Sequence, residues 1–248
     1  MITACIVNYN TPHLVEAAIM SLQRCTPYCK VVVFDNSDRE KPLGAFGTDI
    51  GKGLEGVLVF DNSKGCFIDF DRWLRGFPHK QKVSHYGSAI HCYSVQWLIN
   101  FLAEPFVLMD SDVLVKKDIT PLWDESQAWV GTSREVKTRY GRKMRARPEI
   151  CFINAPLLLE SGATYFNPAR MYALCESRQA NAYDTGCWFH EDCDARHLPH
   201  REVDIDDYMI HLRHGSWSGM EDGQAWLEAH GDLWKPTTGG AEGGNKNI

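Results

Sequence analysis

Three short apolar runs that each end in an aspartate fix most of what this chain can become. Val31-Val32-Val33-Phe34 stops at Asp35, Val57 to Phe60 stops at Asp61, and Phe106-Val107-Leu108-Met109 stops at Asp110. Continuous apolar runs of this length, bounded by turn formers, read as strands covered on both faces, the signature of a mostly parallel sheet. A further run, Ile2 to Val7, is broken by Asn8-Tyr9-Asn10. Thr11-Pro12 then offers an N-cap and a proline at the first helical position. Leu14, Ala18, Ile19 and Leu22 follow on one helical face, up to Thr26-Pro27. Strand, helix and strand in that order predict a right-handed βαβ unit. Ser88 to Leu102 predicts a second helix, with Ile90, Val95, Leu98, Ile99 and Leu102 apolar. In open α/β sheets, ligands bind beyond the carboxyl ends of the strands, where Asp35, Asp61 and Asp110 stand. A strand-terminal aspartate is equally often a turn former. Phe60-Asp61-Asn62-Ser63 echoes Phe34-Asp35-Asn36-Ser37, too briefly for a repeat.

The second half is less regular. Trp129 to Thr132 and Cys151-Phe152-Ile153 predict short strands, residues 157–181 one or two helices, and Tyr208 to Leu212 another strand. Between the first two strands lies a basic stretch with Arg134, Lys137, Arg139, Arg142, Lys143, Arg145 and Arg147, read as a solvated loop before an anion or lipid-headgroup contact. The last residues, 236–248, are poor in apolar side chains and predict a disordered tail. A formal net charge of -6 over 248 residues speaks against a broad nucleic-acid surface, which needs clustered cations. With no apolar run long enough to span a bilayer and no signal-peptide pattern, the expectation is a cytoplasmic protein, with peripheral membrane contact left open. Nine cysteines, an odd number spread through apolar segments, read as mostly reduced thiols. Cys187, His190, Cys193, His197 and His200 fall close together, but their spacing is not a common zinc pattern, and packed thiols with surface histidines is the preferred reading.

Asp110-Ser111-Asp112 carries the chemistry. Two carboxylates one residue apart converge on a hard cation when the backbone turns, and Mg²⁺ or Mn²⁺ takes such oxygens while leaving positions for phosphate. An isolated Asp-x-Asp is weak. Here it is wedged between Phe106–Met109 and Val113-Leu114-Val115, so its desolvation cost requires compensation, which a bound divalent cation supplies.

Other segments fall in an order that resembles glycosyltransferase family 2. Ile6-Val7-Asn8-Tyr9-Asn10, with Leu14, Ser21-Leu22 and then Val31 through Asp38, is similar to the opening of those enzymes. Gly87-Ser88-Ala89 with His91 resembles the stretch preceding the metal motif, with His where Asn is usual. Asp110-Ser111-Asp112 resembles the metal motif itself. Cys151-Phe152-Ile153-Asn154, Tyr183-Asp184 with Glu191-Asp192-Cys193-Asp194, and His211 with Gly215-Ser216 resemble the later motifs in order, although the interval before Tyr183 is longer than the family pattern.

The resemblance implies a GT-A fold, a Rossmann-like three-layer sandwich with a mostly parallel central sheet. It implies one domain over 1–235, its nucleotide-binding half being 1–115 and its acceptor-binding half 116–235. The implied activity is inverting transfer of a sugar from a nucleotide-diphosphate donor, a UDP-sugar first, to a hydroxyl of a glycan or glycoconjugate. Val7, Asn8, Tyr9 and Ser88 then line the nucleotide-sugar site with Asp35, Asp110 and Ser111, and Asp35 accepts from the base. Asp110, Asp112 and His211 hold the cation, with His214 the substitute if the register slips. Asp192 is the expected general base, Glu191 orients it or the acceptor, and Asp184 is the rival. Two other readings remain at this level, a catalytically silent nucleotide-sugar binding protein and a nucleotidyltransferase-like enzyme. The second lacks the Gly-rich basic loop it needs after the first strand.

Overall fold

The side chains of each long strand divide between two hydrophobic layers. Cys5, Val7, Val32, Phe34, Phe106, Leu108, Cys151 and Ile153 face one layer, while Ala4, Ile6, Val31, Val33, Val107, Met109, Ile150 and Phe152 face the other. A strand alternates its side chains across the sheet, so helices on both faces bury both sets. A computed structural model of the chain describes residues 1–37, 56–70, 72, 86–138, 141–167, 185–213 and 220–235.

The main sheet has seven strands, defined as β1 (Thr3–Asn8), β2 (Lys30–Asp35), β3 (Val57–Asp61), β4 (Phe106–Asp110), β6 (Trp129–Gly131), β9 (Ile150–Ile153) and β10 (His200–Glu202), and their order is β10-β6-β9-β4-β1-β2-β3. All pairings are parallel except those of β9 with β4 and β6. A small antiparallel ladder joins β5 (Val113–Val115) to β11 (Met209–His211), and a hairpin joins β7 (Ser133–Thr138) to β8 (Gly141–Ala146).

Helix α1 (Pro12–Cys25) packs Val15, Ala18, Ile19 and Leu22 onto one face of the sheet. Helix α2 (Tyr86–Leu102) covers the other face through Ala89, Cys92, Val95, Leu98 and Ile99. Helices α3 (Ala155–Ser161) and α4 (Cys187–Ala195) extend that second layer with Leu158, Phe189 and Cys193. Helix α5 (Met220–Ala229) and the short α6 (Gly231–Trp234) lie against α1, where Leu14, Ala17 and Leu114 meet Leu227. The α/β sandwich with a mostly parallel sheet is the expected architecture.

Two local expectations change. The basic stretch is a regular antiparallel hairpin, not a loop. Its register sets Glu135 against Met144 and Lys137 against Arg142, and Arg142 pairs with Glu135 at 2.6 Å. Thr11 precedes α1 but makes no capping bond, because its hydroxyl is used in the site described below. The predicted tail, 236–248, and residues 168–181 of the helical segment predicted over 157–181 lie outside the described residues; of the rest, helix α3 ends at Ser161 and 162–167 are not helical as expected. Among the described residues the cysteines form no disulfide, and no helix is long and apolar enough to cross a membrane.

Candidate active site

The strand register aligns the polar ends of four strands. Val7 lies beside Asp110, Asn8 beside Asp35, and Asp35 beside Asp61. Asn8, fully buried, donates from Nδ2 to Asp35 Oδ1 at 2.8 Å and to Ser37 Oγ at 3.2 Å, while its Oδ1 accepts from Thr11 Oγ1 at 2.7 Å. Thr11 Oγ1 also lies 3.0 Å from Ser111 Oγ. One hydroxyl thus ties the first strand-to-helix turn to the acidic turn after β4. Asp35 is also fully buried, and its Oδ1 accepts from Ser37 N at 3.1 Å and Ser37 Oγ at 2.6 Å. The same Asx turn recurs where Asp61 Oδ1 accepts from Ser63 N at 2.9 Å, which explains the Asp-Asn-Ser echo as turn chemistry. Between the two, Asn36 donates to Ser94 of α2 at 2.8 Å and accepts from Asn62 at 3.1 Å. Buried polar groups at these strand ends are matched to one another, as burial requires.

The acidic turn meets a histidine from far along the chain. The β5–β11 ladder places His211 opposite Val113, one residue beyond Asp112, and Leu212 N donates to Asp112 O at 3.0 Å. His211 Nε2 is 3.3 Å from Asp112 Oδ1. One ligand atom from each of Asp110, Asp112 and His211 lies within 4.8 Å of the others. Asp112 is buried, whereas Asp110 and His211 are partly open to solvent. Behind them, His91 Nε2 stands 3.1 Å from Asp110 Oδ1. This close contact, hydrogen bond and charge together, is the main attraction that stabilises the Asp110 carboxylate.

Burial works against charge on Asp110 and His211, and the attraction of their neighbours overrides it. Burial raises the Asp110 pKa, but His91, with smaller contributions from His211 and Arg145, brings it below the usual carboxylate value. Burial lowers the His211 pKa, but Asp112, then Asp110 and Glu149, carry it above the ordinary imidazole value. The acidic pair is therefore a strong cation acceptor that the protein itself partly neutralises with imidazoles. Two carboxylates and one imidazole within reach of one point make a donor set suited to a divalent cation of the Mn²⁺ or Mg²⁺ type.

The remaining candidates are placed as follows. Val7 is buried, Tyr9 is 42% exposed, and Ser88 is half-buried in the first turn of α2. Helix α4 carries Glu191 and Asp192. Glu191 Oε1 is 3.2 Å from Lys143 Nζ on β8. Asp192 is buried, and its Oδ2 accepts from Thr164 N at 2.8 Å and Thr164 Oγ1 at 3.3 Å, while Oδ1 pairs with Arg196 Nε at 3.1 Å. Trp188 Nε1 donates to the same Thr164 hydroxyl at 2.9 Å. Asp184 and His214 lie outside the described residues. Asp110, Ser111, Asp112, His211, Asn8 and Asp35 form one connected network, while Glu191 and Asp192 belong to a second around Lys143, Thr164 and Arg196. Arg145 links the two, because Nε donates to Thr185 O at 2.7 Å just before α4 and its charge acts on Asp110. Arg145, Thr11 and Ser37 are the participants that sequence reasoning left out. Alternation of Arg145 with Lys143 on one hairpin face was the available signal.

No protein-family model matches the chain, and no curated protein matches it. Among solved structures, it resembles galactosyltransferase LgtC in complex with donor and acceptor sugar analogues, with a TM-score of 0.51 and 14% identity over 82% of this chain and 74% of that one. An active-site mutant of LgtC gives a TM-score of 0.54 and 15% identity over 82% and 73%. The fold is that of the GT-A glycosyltransferases.

Proposed function

We propose that this protein is a metal-dependent glycosyltransferase that moves a sugar from a nucleotide-diphosphate donor, a UDP-sugar in the first instance, to a hydroxyl of a glycan or glycoconjugate. The observation that carries the reading is the convergence of Asp110, Asp112 and His211 at the carboxyl end of a central strand in a GT-A fold. The family 2 subtype and the inverting outcome rest on the sequence motifs. In this reading residues 1–115 bind the nucleotide and 116–235 the acceptor.

Asp110, Asp112 and His211 would hold the divalent cation, which when bound offsets the charge building on the departing nucleoside diphosphate. Asn8 and Ser37 hold Asp35 and the backbone at the strand ends in one shape, so the nucleoside meets a preorganised surface lined by Val7 and Tyr9. Arg145 adds positive charge near Asp110. Inverting transfer forms a bond from the acceptor oxygen to the anomeric carbon as the bond from that carbon to the diphosphate oxygen breaks. The acceptor proton passes to a carboxylate. Asp192, held by Thr164 and Arg196, suits a brace for Thr164, and Glu191, partly open beside Lys143, suits the proton acceptor.

The test is a screen of UDP- and GDP-sugars with Mn²⁺, reading thermal shift and nucleoside diphosphate release with and without glycan acceptors. Stabilisation with release supports the proposal. Stabilisation with no release from any donor favours the silent binding protein instead, and no stabilisation by any donor removes both. Glu191→Gln losing turnover while keeping donor binding supports its assignment; the same pattern in Asp192→Asn alone returns the base to Asp192.

A further inference from the structure

The histidine-rich segment after Asp184 contains a second convergence, different from the one its spacing suggests. His190 and Asp194 are four residues apart on α4 and so share a face, with His190 Nδ1 3.1 Å from Asp194 Oδ2. The chain leaves α4 and returns as β10, whose first residue, His200, pairs in register with Trp129 of β6. The His200 ring stacks on the Trp129 indole, with centroids 4.7 Å apart and planes 4° from parallel. This fixes the ring facing α4, and the His190 and His200 rings come within 5.7 Å, edge to face. One ligand atom from each of His190, Asp194 and His200 lies within 4.8 Å of the other two.

We propose that His190, Asp194 and His200 form a second metal site, of the zinc class, that fastens α4 to the edge strand β10. Two imidazoles and one carboxylate are a nitrogen-rich set suited to Zn²⁺, Co²⁺ or Ni²⁺ rather than to Mg²⁺, and three protein ligands leave one position for water. His190 is 5% exposed, and Asp194 is more than half exposed, so the buried ligand is rigid and the outer one adjusts to the metal. The neighbouring thiols are not part of this set. Cys187 and Cys193 are packed into the hydrophobic layer. Since α4 also carries Glu191 and Asp192, the site sets how firmly those two carboxylates are held, whatever reaction they serve.

The experiment is a Zn²⁺ titration of metal-stripped protein by calorimetry, repeated with Co²⁺ by visible absorption. An Asp112→Asn background weakens the first site, so that the second is read alone. The expected result is one equivalent of Zn²⁺ bound, a Co²⁺ spectrum of tetrahedral intensity, and a melting temperature raised by roughly 5–10 °C at a hundredfold excess over the dissociation constant. Adding Asp194→Asn or His200→Gln should weaken binding at least about tenfold and abolish the shift. In the otherwise wild-type chain the same substitutions should remove one equivalent and leave the other. Asp194 is exposed, so Asp194→Asn tests the site even if His200→Gln fails to fold. The proposal is overturned if the Asp112→Asn protein binds no Zn²⁺, or if its binding is indifferent to Asp194→Asn. Neither result bears on sugar transfer by the first site.

Discussion

Substituting Gly186 by alanine should be among the most damaging single-methyl changes this protein can suffer. Gly186 sits at the N-cap of α4 with φ +85, a left-handed conformation that costs an L-residue about 1–2 kcal/mol. A Cβ there would lie 2.0 Å from the carbonyl oxygen of Ala146. That oxygen belongs to the β8 backbone, which is held in register with β7 and donates from Ala146 N to Gly186 O at 3.3 Å. No side chain is available to rotate away, so helix and hairpin must separate by more than an ångström. Overpacking of this kind costs about 1–3 kcal/mol, and loss of the bridging hydrogen bond about another 1 kcal/mol. With the backbone strain, a total on the order of 3–6 kcal/mol is expected. Gly162 provides the control. It ends α3 with φ +70, but the nearest atom to its added Cβ is Arg196 Nη1 at 3.5 Å, an ordinary contact distance, so Gly162→Ala should cost only the conformational part, about 1–2 kcal/mol. Urea unfolding followed by far-UV circular dichroism measures both. If the two variants lose the same stability to within about 0.5 kcal/mol, close approach of α4 to β8 is not what fixes glycine at 186.

Asp112→Asn should abolish stabilisation by Mn²⁺ and nucleotide-sugar and reduce sugar transfer at least about 100-fold, measured by thermal shift and diphosphate release. Asn8→Ala deprives Asp35 and Ser37 of a donor and Thr11 of an acceptor, so it should destabilise by about 2–4 kcal/mol in urea unfolding and weaken donor binding as well. Phe34→Ala, in the fully buried ring packed 4.9 Å from Trp97, should cost about 3–5 kcal/mol while leaving cation affinity of the folded fraction unchanged in a Mn²⁺ titration. Arg145→Ala should weaken binding of the nucleotide-sugar while leaving Mn²⁺ affinity unchanged or slightly higher, because it removes a positive charge that attracts a diphosphate and repels a cation; equal affinity for the donor before and after would contradict this.

The centre of the sheet was legible because β1, β2 and β4 are covered on both faces. An unbroken run such as Val31–Phe34 has few alternatives, and each run's terminal aspartate marks the sheet edge where ligands gather. The acidic turn was legible for the same reason, being charge embedded between apolar neighbours. The hairpin was not. In Ser133–Thr138 only Val136 is apolar, and both faces carry charges, so no alternation betrays a strand; the pairing comes from Glu135 with Arg142 and from α4 packed alongside. Thr11 misled in a different way. Threonine before Pro12 signals a cap, yet the competing partners Asn8 and Ser111 are brought within reach only by β1 and β4 pairing side by side. The division between a brace at Asp192 and a more open Glu191 is likewise tertiary. It depends on Thr164, nearly thirty residues earlier, returning against the helix.

The short ladder between β5 and β11 gives the acidic site a place in time. Asp112 and His211 are separated by about a hundred residues, and closing a loop of that length costs on the order of 4 kcal/mol of chain entropy. A nascent chain that has emerged only as far as Asp112 presents two carboxylates and no imidazole, and holds a divalent cation weakly. In the proposed reading the full donor set exists only once Met209–His211 has docked against Val113–Val115. A cation held by Asp110, Asp112 and His211 would therefore oppose the undocking of β11 from β5.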